Sequence, residues 1–217
     1  MKLLALSIFT LLLSTTTFAQ KSDPEAKKIL DAVSAKFKAL KTVEAAFAIK
    51  SENAAGKVLG AKKGLVKMKG TKYKINLGNG TNQIFCDGAN VWNFNKNTNE
   101  VSITKFDNSS NTITPQKMFT NFYDKDFLYK KNGDKPVDGK TLTEIELTPK
   151  DKSKPFFKVY IYISPADNLI TSTKILMKTG NKDTYTFTGI KQNPAVADAE
   201  FVFSAGKFAG VEVNDLR

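Results

Sequence analysis

The sequence predicts an α+β protein: an antiparallel barrel or strongly curved sheet of about eleven strands, covered on its concave side by helices. Three observations carry this reading. A capped amphipathic helix opens the region after residue 20. The apolar period then changes from helical to two, through short runs separated by glycine, asparagine and aspartate. About eleven such runs are too many for an ordinary small open sheet and suit a barrel or a bent one. Amphipathic helices must bury an apolar face, and the hollow side of the sheet is where this architecture accepts them.

Residues 1–19 read as a secretory signal peptide, with Lys2 as a basic start, an almost unbroken apolar run from Leu3 to Leu13, and Thr17 and Ala19 suited to a cleavage site. The run is too short to span a bilayer of about 30 Å. Residues 20–217 are then expected to form one exported, soluble domain. A lipid anchor would need a cysteine directly after the cleavage site, whereas the one cysteine is Cys86, so the expected protein is untethered and has no internal disulfide. Cys86 itself reads as a small buried apolar residue.

The helix is expected over Ser22–Leu40. Ser22 and Glu25 have capping-box spacing, and Pro24 suits an early helical position. Ala26, Ile29, Leu30, Val33, Phe37 and Leu40 recur on one face, and Lys36, Lys38 and Lys41 lie near the end where positive charge favours the helix dipole. Strands follow at 43–50, 64–69, 72–77, 83–86 and 91–94, with Gly78-Asn79-Gly80 and Asp87-Gly88 as hairpin turns. Tyr73, Ile75 and Leu77 alternate onto one face of theirs.

Thr114–Tyr123 breaks the strand rhythm. Pro115 suits a helix start, and Met118, Phe119 and Phe122 share one helical side. Strands resume at 127–129, 142–147, 156–163, 170–177, 185–190 and 201–203. In the 156–163 run, Phe157, Val159, Ile161 and Ile163 are expected on one face and Phe156, Tyr160 and Tyr162 on the other.

Composition excludes several chemistries. The chain has no histidine, which removes Ser-His-Asp triads, Cys-His pairs and histidine-ligated metals. It has no glycine-rich phosphate loop, and Glu144 and Glu146, sharing one strand face among lysines, read as a paired solvated surface. The net charge of +12 is carried almost wholly by lysine; the sole arginine is Arg217. Scattered lysine attracts anionic surfaces but does not supply the planar forks that read bases, so nucleic acid is not an expected partner. No enzyme activity, cofactor or metal is expected. What stands out is a load of large apolar side chains: 16 phenylalanines, 6 tyrosines and one tryptophan.

Several segments in order resemble a known family. They are the capped helix ending in Phe37-Lys38-Ala39-Leu40-Lys41-Thr42-Val43 with Ala46-Phe47 after it, Gly64-Leu65-Val66-Lys67-Met68-Lys69, and Lys72-Tyr73-Lys74-Ile75. Asp87-Gly88-Ala89-Asn90-Val91-Trp92-Asn93-Phe94-Asn95 follows, then Thr114-Pro115, Leu147-Thr148-Pro149-Lys150, and the close from Phe201-Val202-Phe203 to Gly210-Val211-Glu212-Val213-Asn214-Asp215. Together they resemble the outer-membrane lipoprotein carrier (LolA) family. The resemblance implies an unclosed antiparallel barrel with a helical lid over an apolar interior, working as a periplasmic monomer. Its partners would be acylated lipoproteins, an inner-membrane ABC transporter that releases them, and an outer-membrane acceptor.

The expected lipid-binding positions are Ile29, Val33, Phe37, Phe47, Tyr73, Ile75, Leu77, Trp92, Met118, Phe119 and Phe122, although for Trp92 the reading as core beside its hairpin is the favoured one. The helix faces at Ile29, Val33 and Phe37 and at Met118, Phe119 and Phe122 would leave the sheet as acyl chains enter. The family usually has an arginine shortly before the Tyr73 strand that helps close the lid; Lys69 stands in the matching stretch as its partial substitute. The same half-barrel also suits a sensor of lipids or lipoproteins, or a carrier of another acylated molecule.

Overall fold

The computed structural model describes residues 22–107 and 122–217. Helix α1 (Pro24–Ala39) is followed by β1 (Val43–Glu52), β2 (Val58–Lys69), β3 (Lys72–Leu77), β4 (Asn82–Cys86), β5 (Asn90–Asn95) and β6 (Glu100–Lys105). A short α2 (Phe122–Asp126) then leads into β7 (Phe127–Val137), β8 (Lys140–Pro149), β9 (Phe156–Ser164), β10 (Leu169–Met177) and β11 (Lys182–Gln192). Two 3₁₀ turns, Asp198–Phe201 and Ala205–Lys207, precede the last strand, β12 (Glu212–Asp215). The expected leader (1–19) and most of the expected 114–123 helix lie outside the described residues.

The expected architecture is borne out. All twelve strands form one sheet in the order β12-β6-β5-β4-β3-β2-β1-β11-β10-β9-β8-β7, and its two ends do not meet. Every pairing is antiparallel except that of β12, which runs parallel to β6. Ten of the expected strands are present. Residues 201–203 instead leave a 3₁₀ turn, and β6 and β12 are additional.

The helix cap differs from the expectation. Asp23, not Ser22, is the N-cap: its carboxylate accepts the backbone N–H of Glu25 at 2.8 Å and of Ala26 at 3.4 Å, and Pro24 takes the first helical position. Proline there fixes a helical φ and leaves no N–H unsatisfied, so the capping acceptor falls to the residue immediately before it.

Asp23 has a second task. Its N–H donates to the Tyr129 carbonyl at 3.0 Å, and its other carboxylate oxygen accepts the Lys131 N–H at 2.9 Å. The start of α1 is thereby bonded to β7, an end strand of the sheet whose polar backbone would otherwise be unpaired there.

The other end of α1 is tied to the start of β1 and the segment after β11. Asn193, in the left-handed conformation (φ 55°), accepts from the N–H of Lys41 at 2.7 Å and donates its own N–H to the Thr42 carbonyl at 2.8 Å. The Thr42 hydroxyl donates to Pro194 O at 2.6 Å. Between these anchors Ala26, Leu30, Val33 and Phe37 are buried against the inner face of the sheet, among Ile145, Leu147, Val159, Ile161, Ile163, Leu169 and Ile170.

A second core lies on the opposite, outer face. Phe85, Trp92, Phe94, Val101 and Ile103 of β4 to β6 are covered by Phe203 and Phe208 of the C-terminal segment, with ring centroids of Phe94 and Phe208 4.4 Å apart. Asp198 fastens the same segment to the outer side of β2 and β3 through Lys69 at 2.6 Å and Lys72 at 2.7 Å.

Candidate functional site

Strand register decides which side chains share the inner face. Tyr73 is opposite Met68 on β2 and Cys86 on β4; Ile75 is opposite Val66 and Ile84; Leu77 is opposite Gly64 and Asn82. Across β1 the same face carries Val43, Ala45, Phe47 and Ile49, and on β11 it continues as Phe187 opposite Phe47 and Tyr185 opposite Ile49. Tyr185 faces Thr173 and Asp183 faces Ile175 on β10. The inner face of β1, β3, β4, β10 and β11 is therefore an apolar band, and Phe47, Ile49, Ile75, Leu77, Ile84, Ile175 and Phe187 in it are only partly buried.

Gly64 makes room for this band. A methyl group there would sit 2.4 Å from Cζ of Phe47 and 2.5 Å from the Asn76 carbonyl oxygen, so the Phe47 ring lies flat across β2 only because that residue has no side chain. Beyond β4 the inner face turns polar, with Asn93 and Asn95 on β5 opposite Ser102 and Glu100 on β6. The apolar side of the sheet changes over at this point, because the C-terminal segment covers the outside of β5 and β6.

Tyr73 and Cys86 form the deep end of the band. The thiol donates weakly to Thr71 O at 3.8 Å, and burial pushes its pKa up, which keeps it neutral and unreactive. Burial, together with the neighbouring Cys86, likewise pushes the Tyr73 phenol up to about 12. At the other end Ser51 donates to Asp183 at 2.6 Å, so the rim of the band is polar. Among the described residues no three acidic or cysteine side chains gather to hold a metal ion.

Of the residues singled out in the sequence, Phe47, Tyr73, Ile75 and Leu77 share the inner face. Val33 and Phe37 are buried in the α1 core, and Ile29 packs at its margin. Trp92 does not join them: it pairs with Phe85 and Ile103 on the outer face and packs with Phe203. The side of its strand that is buried is set by the distant C-terminal segment, so alternation alone could not tell inside from outside. Met118 and Phe119 lie outside the described residues, as does the side chain of Phe122. Ile49, Ile84, Ile175, Tyr185 and Phe187 were not anticipated; the alternation of Val43, Ala45, Phe47 and Ile49 was the available signal for the first.

Two further expectations change. Lys69 does not face the band; its ammonium pairs with Asp198 outside the sheet, since strand parity puts it opposite in direction to Met68. Hydrogen bonds tie α1 down at both ends, through Asp23 to β7 and through Asn193 to the start of β1. In the 156–163 strand, Val159, Ile161 and Ile163 face inward as expected, but Phe157 is exposed and Phe156 stacks on Phe127, because the register slips at Phe156. Glu146 pairs with Lys158 at 2.6 Å on the outer face, in keeping with a structural surface.

The charges predict the pH profile of stability. Hydrogen bonds from the Lys131 N–H and from the amides of the first helical turn hold Asp23 below the usual carboxylate range, Tyr123 and Lys27 do so for Asp31, and Lys69 and Lys72 hold Asp198 at about 2. A carboxylate with a depressed folded pKa contributes stability that is complete above its unfolded pKa and is lost as pH falls through the folded value. The chain has no histidine, the side chain whose ordinary titration falls between about pH 5 and 8. Urea midpoints are expected to be flat across that window and to fall steeply below about pH 4. A midpoint that drifts between pH 5 and 8 would contradict the assignment.

Comparison with known proteins agrees with the fold. The family model described as outer membrane lipoprotein carrier protein LolA matches residues 38–204. An outer-membrane lipoprotein carrier protein of Cupriavidus necator is 30% identical over 166 residues, covering 75% of this chain and 76% of that one. A protein of the same description from Cupriavidus taiwanensis is 31% identical over 126 residues, covering 58% of this chain and 57% of that one. An uncharacterized conserved protein from Thermus thermophilus shares the fold with TM-score 0.59 at 13% identity, covering 88% of this chain and 99% of that structure. The unclosed sheet with an apolar inner band, and a family match running from the end of α1 to the C-terminal segment, place this chain in the LolA family of outer membrane lipoprotein carrier proteins.

Proposed function

We propose that the protein is a periplasmic carrier that holds the acyl chains of lipoproteins against its inner apolar band, takes them from an inner-membrane ABC transporter and delivers them to an outer-membrane acceptor. It acts as a binding protein, not as an enzyme. The observation that supports this best is the partly buried row Phe47, Ile49, Ile75, Leu77, Ile84 and Phe187 on the inner face of a sheet that does not close.

An acyl chain moved from water to such a surface gains about 0.8 kcal/mol per methylene, so a long chain is worth roughly ten kcal/mol or more. Unassisted passage through water is correspondingly slow. The carrier must also let go. Branched and aromatic side chains drawn from five strands give a broad surface without fixed polar contacts, which binds by area and imposes little geometric selection.

A photoreactive residue in place of Ile75 or Phe187 is expected to crosslink acylated lipoprotein, while one in place of Lys74, whose ammonium lies over the Phe85 ring on the outer face, is expected not to. Added acceptor membranes should then remove the cargo. Equal crosslinking from both faces would refute the site, and cargo that is bound but never transferred would favour a sensor.

A further inference from the structure

The β1–β2 hairpin extends past the rest of the sheet. β3 pairs with β2 only from Gly64 to Lys69 and the Gly78 N–H reaches Lys63 O, so 58–62 have β1 as their single described strand neighbour. Residues 54–63 are all exposed, and this protruding ribbon carries two of the six large apolar side chains that stand out on the described surface: Val58 is 52% and Leu59 57% exposed. Lys57, Lys62 and Lys63 flank them. Lone surface leucines need no explanation, but two adjacent apolar residues raised on a ribbon and ringed by lysine form an amphipathic tip.

The neighbouring strand ends continue the pattern. Glu52 at the tip of β1 pairs with Lys182 at the start of β11, and Gly180 in the β10–β11 turn lies close enough to Ala54 that an added methyl would come within 3.0 Å of it. Lys178 of that turn is bonded to Lys152 and Pro155 of the next loop. Phe157, 47% exposed, follows that loop on β9. From β2 to β9 is four strand spacings, roughly 19 Å, so one rim presents Val58, Leu59 and Phe157 among lysines.

This is the rim on which the inner apolar band ends, since Ser51 and Asp183 occupy it. Acidic side chains there are Glu52, Asp151 and Asp183, against Lys57, Lys62, Lys63, Lys152, Lys178 and Lys182. The rim is net positive, and the chain as a whole carries +12. The surface that complements apolar points among ammonium groups is one with acyl chains under phosphates.

We propose that this rim, led by the β1–β2 ribbon, docks onto anionic phospholipid bilayers, with Val58 and Leu59 entering the interface and Lys57, Lys62 and Lys63 at the headgroups. Docking turns the end of the inner band toward the membrane. It does not depend on the nature of the cargo and is tested with empty protein.

Flotation with phosphatidylcholine vesicles containing about a quarter phosphatidylglycerol provides the test. Binding is expected to the anionic vesicles and not to pure phosphatidylcholine, and to vanish near 1 M salt, where the Debye length is about 3 Å. The variant K57Q/K62Q/K63Q should lose on the order of a hundredfold in partitioning, about fivefold per lysine. V58S/L59S should lose about tenfold, with an unchanged unfolding midpoint because both sites are exposed. The control K28Q/K38Q/K140Q, on α1 and the opposite rim, should lose much less than the ribbon triple.

Equal loss in that control would reduce the effect to diffuse charge and overturn the proposal. So would full binding by V58S/L59S, or binding only to native membranes that protease treatment abolishes, which would assign the ribbon to a protein partner. Crosslinking of acylated cargo from position 75 is read separately in the same variants. Its retention beside lost flotation separates docking from cargo binding, and its loss would place the ribbon in the cargo site instead.

Discussion

Gly64→Ala is expected to destabilise the protein by about 2–4 kcal/mol, lowering the thermal midpoint by roughly 5–15 °C. The added methyl meets two obstacles of different kinds. The Phe47 ring, 2.4 Å away, can rotate or shift, whereas the Asn76 carbonyl at 2.5 Å belongs to the paired backbone of β3 and cannot move without disturbing the β2–β3 register. In a Phe47→Ala background the first obstacle is gone and the second remains. The cost of Gly64→Ala should therefore shrink by about 1–2 kcal/mol but not disappear. Urea denaturation of the four proteins in this cycle measures the coupling. Strict additivity would show that the ring does not lie over Gly64 in solution.

The double variant Asp23→Ala/Asn193→Ala is expected to lose about 3–4 kcal/mol, with the two single losses adding, because the sites hold opposite ends of α1. Asp23 caps the helix and receives the Lys131 N–H, so its removal orphans donors on two elements at once. Asn193 accepts from the amide of Lys41 while adopting φ 55°, a conformation that alanine resists. Hydrogen exchange should quicken along α1 more than in β3 and β4. Unchanged protection of α1 in the double variant would mean that apolar packing alone seats the helix.

The strand rhythm and turn residues were enough to read the architecture, because each strand of β1 to β5 and β7 to β11 has its own alternation and, apart from the β8–β9 connection, the hairpin turns among them use glycine or asparagine at positive φ. What escaped was information held elsewhere in the chain. Trp92 and Phe94 face outward because Phe203 and Phe208 come from more than a hundred residues away to cover them, and no local pattern announces a second covered face. β12 consists of four exposed residues whose strand character comes only from pairing with β6. Asp23 outcompeted Ser22 as the cap because the adjacent proline fixes where the helix begins. Of the inner band, Tyr73, Ile75 and Leu77 were legible from a single strand; Phe187 and Tyr185 became visible only with the register of β1 against β11.

That pairing also bears on how the chain assembles. β1 to β6 and β7 to β11 are each a succession of neighbours in sequence, and the two series meet along one seam where Phe47 lies beside Phe187. Each series can zip quickly from its own hairpins, while the seam demands a single long loop closure whose entropic cost rises only logarithmically with length. α1 belongs to the first series by sequence yet rests on β7 and β10 of the second. A chain made from its amino end thus finishes six strands before the bed for its first helix exists, and neither half can bury its greasy side until the other arrives.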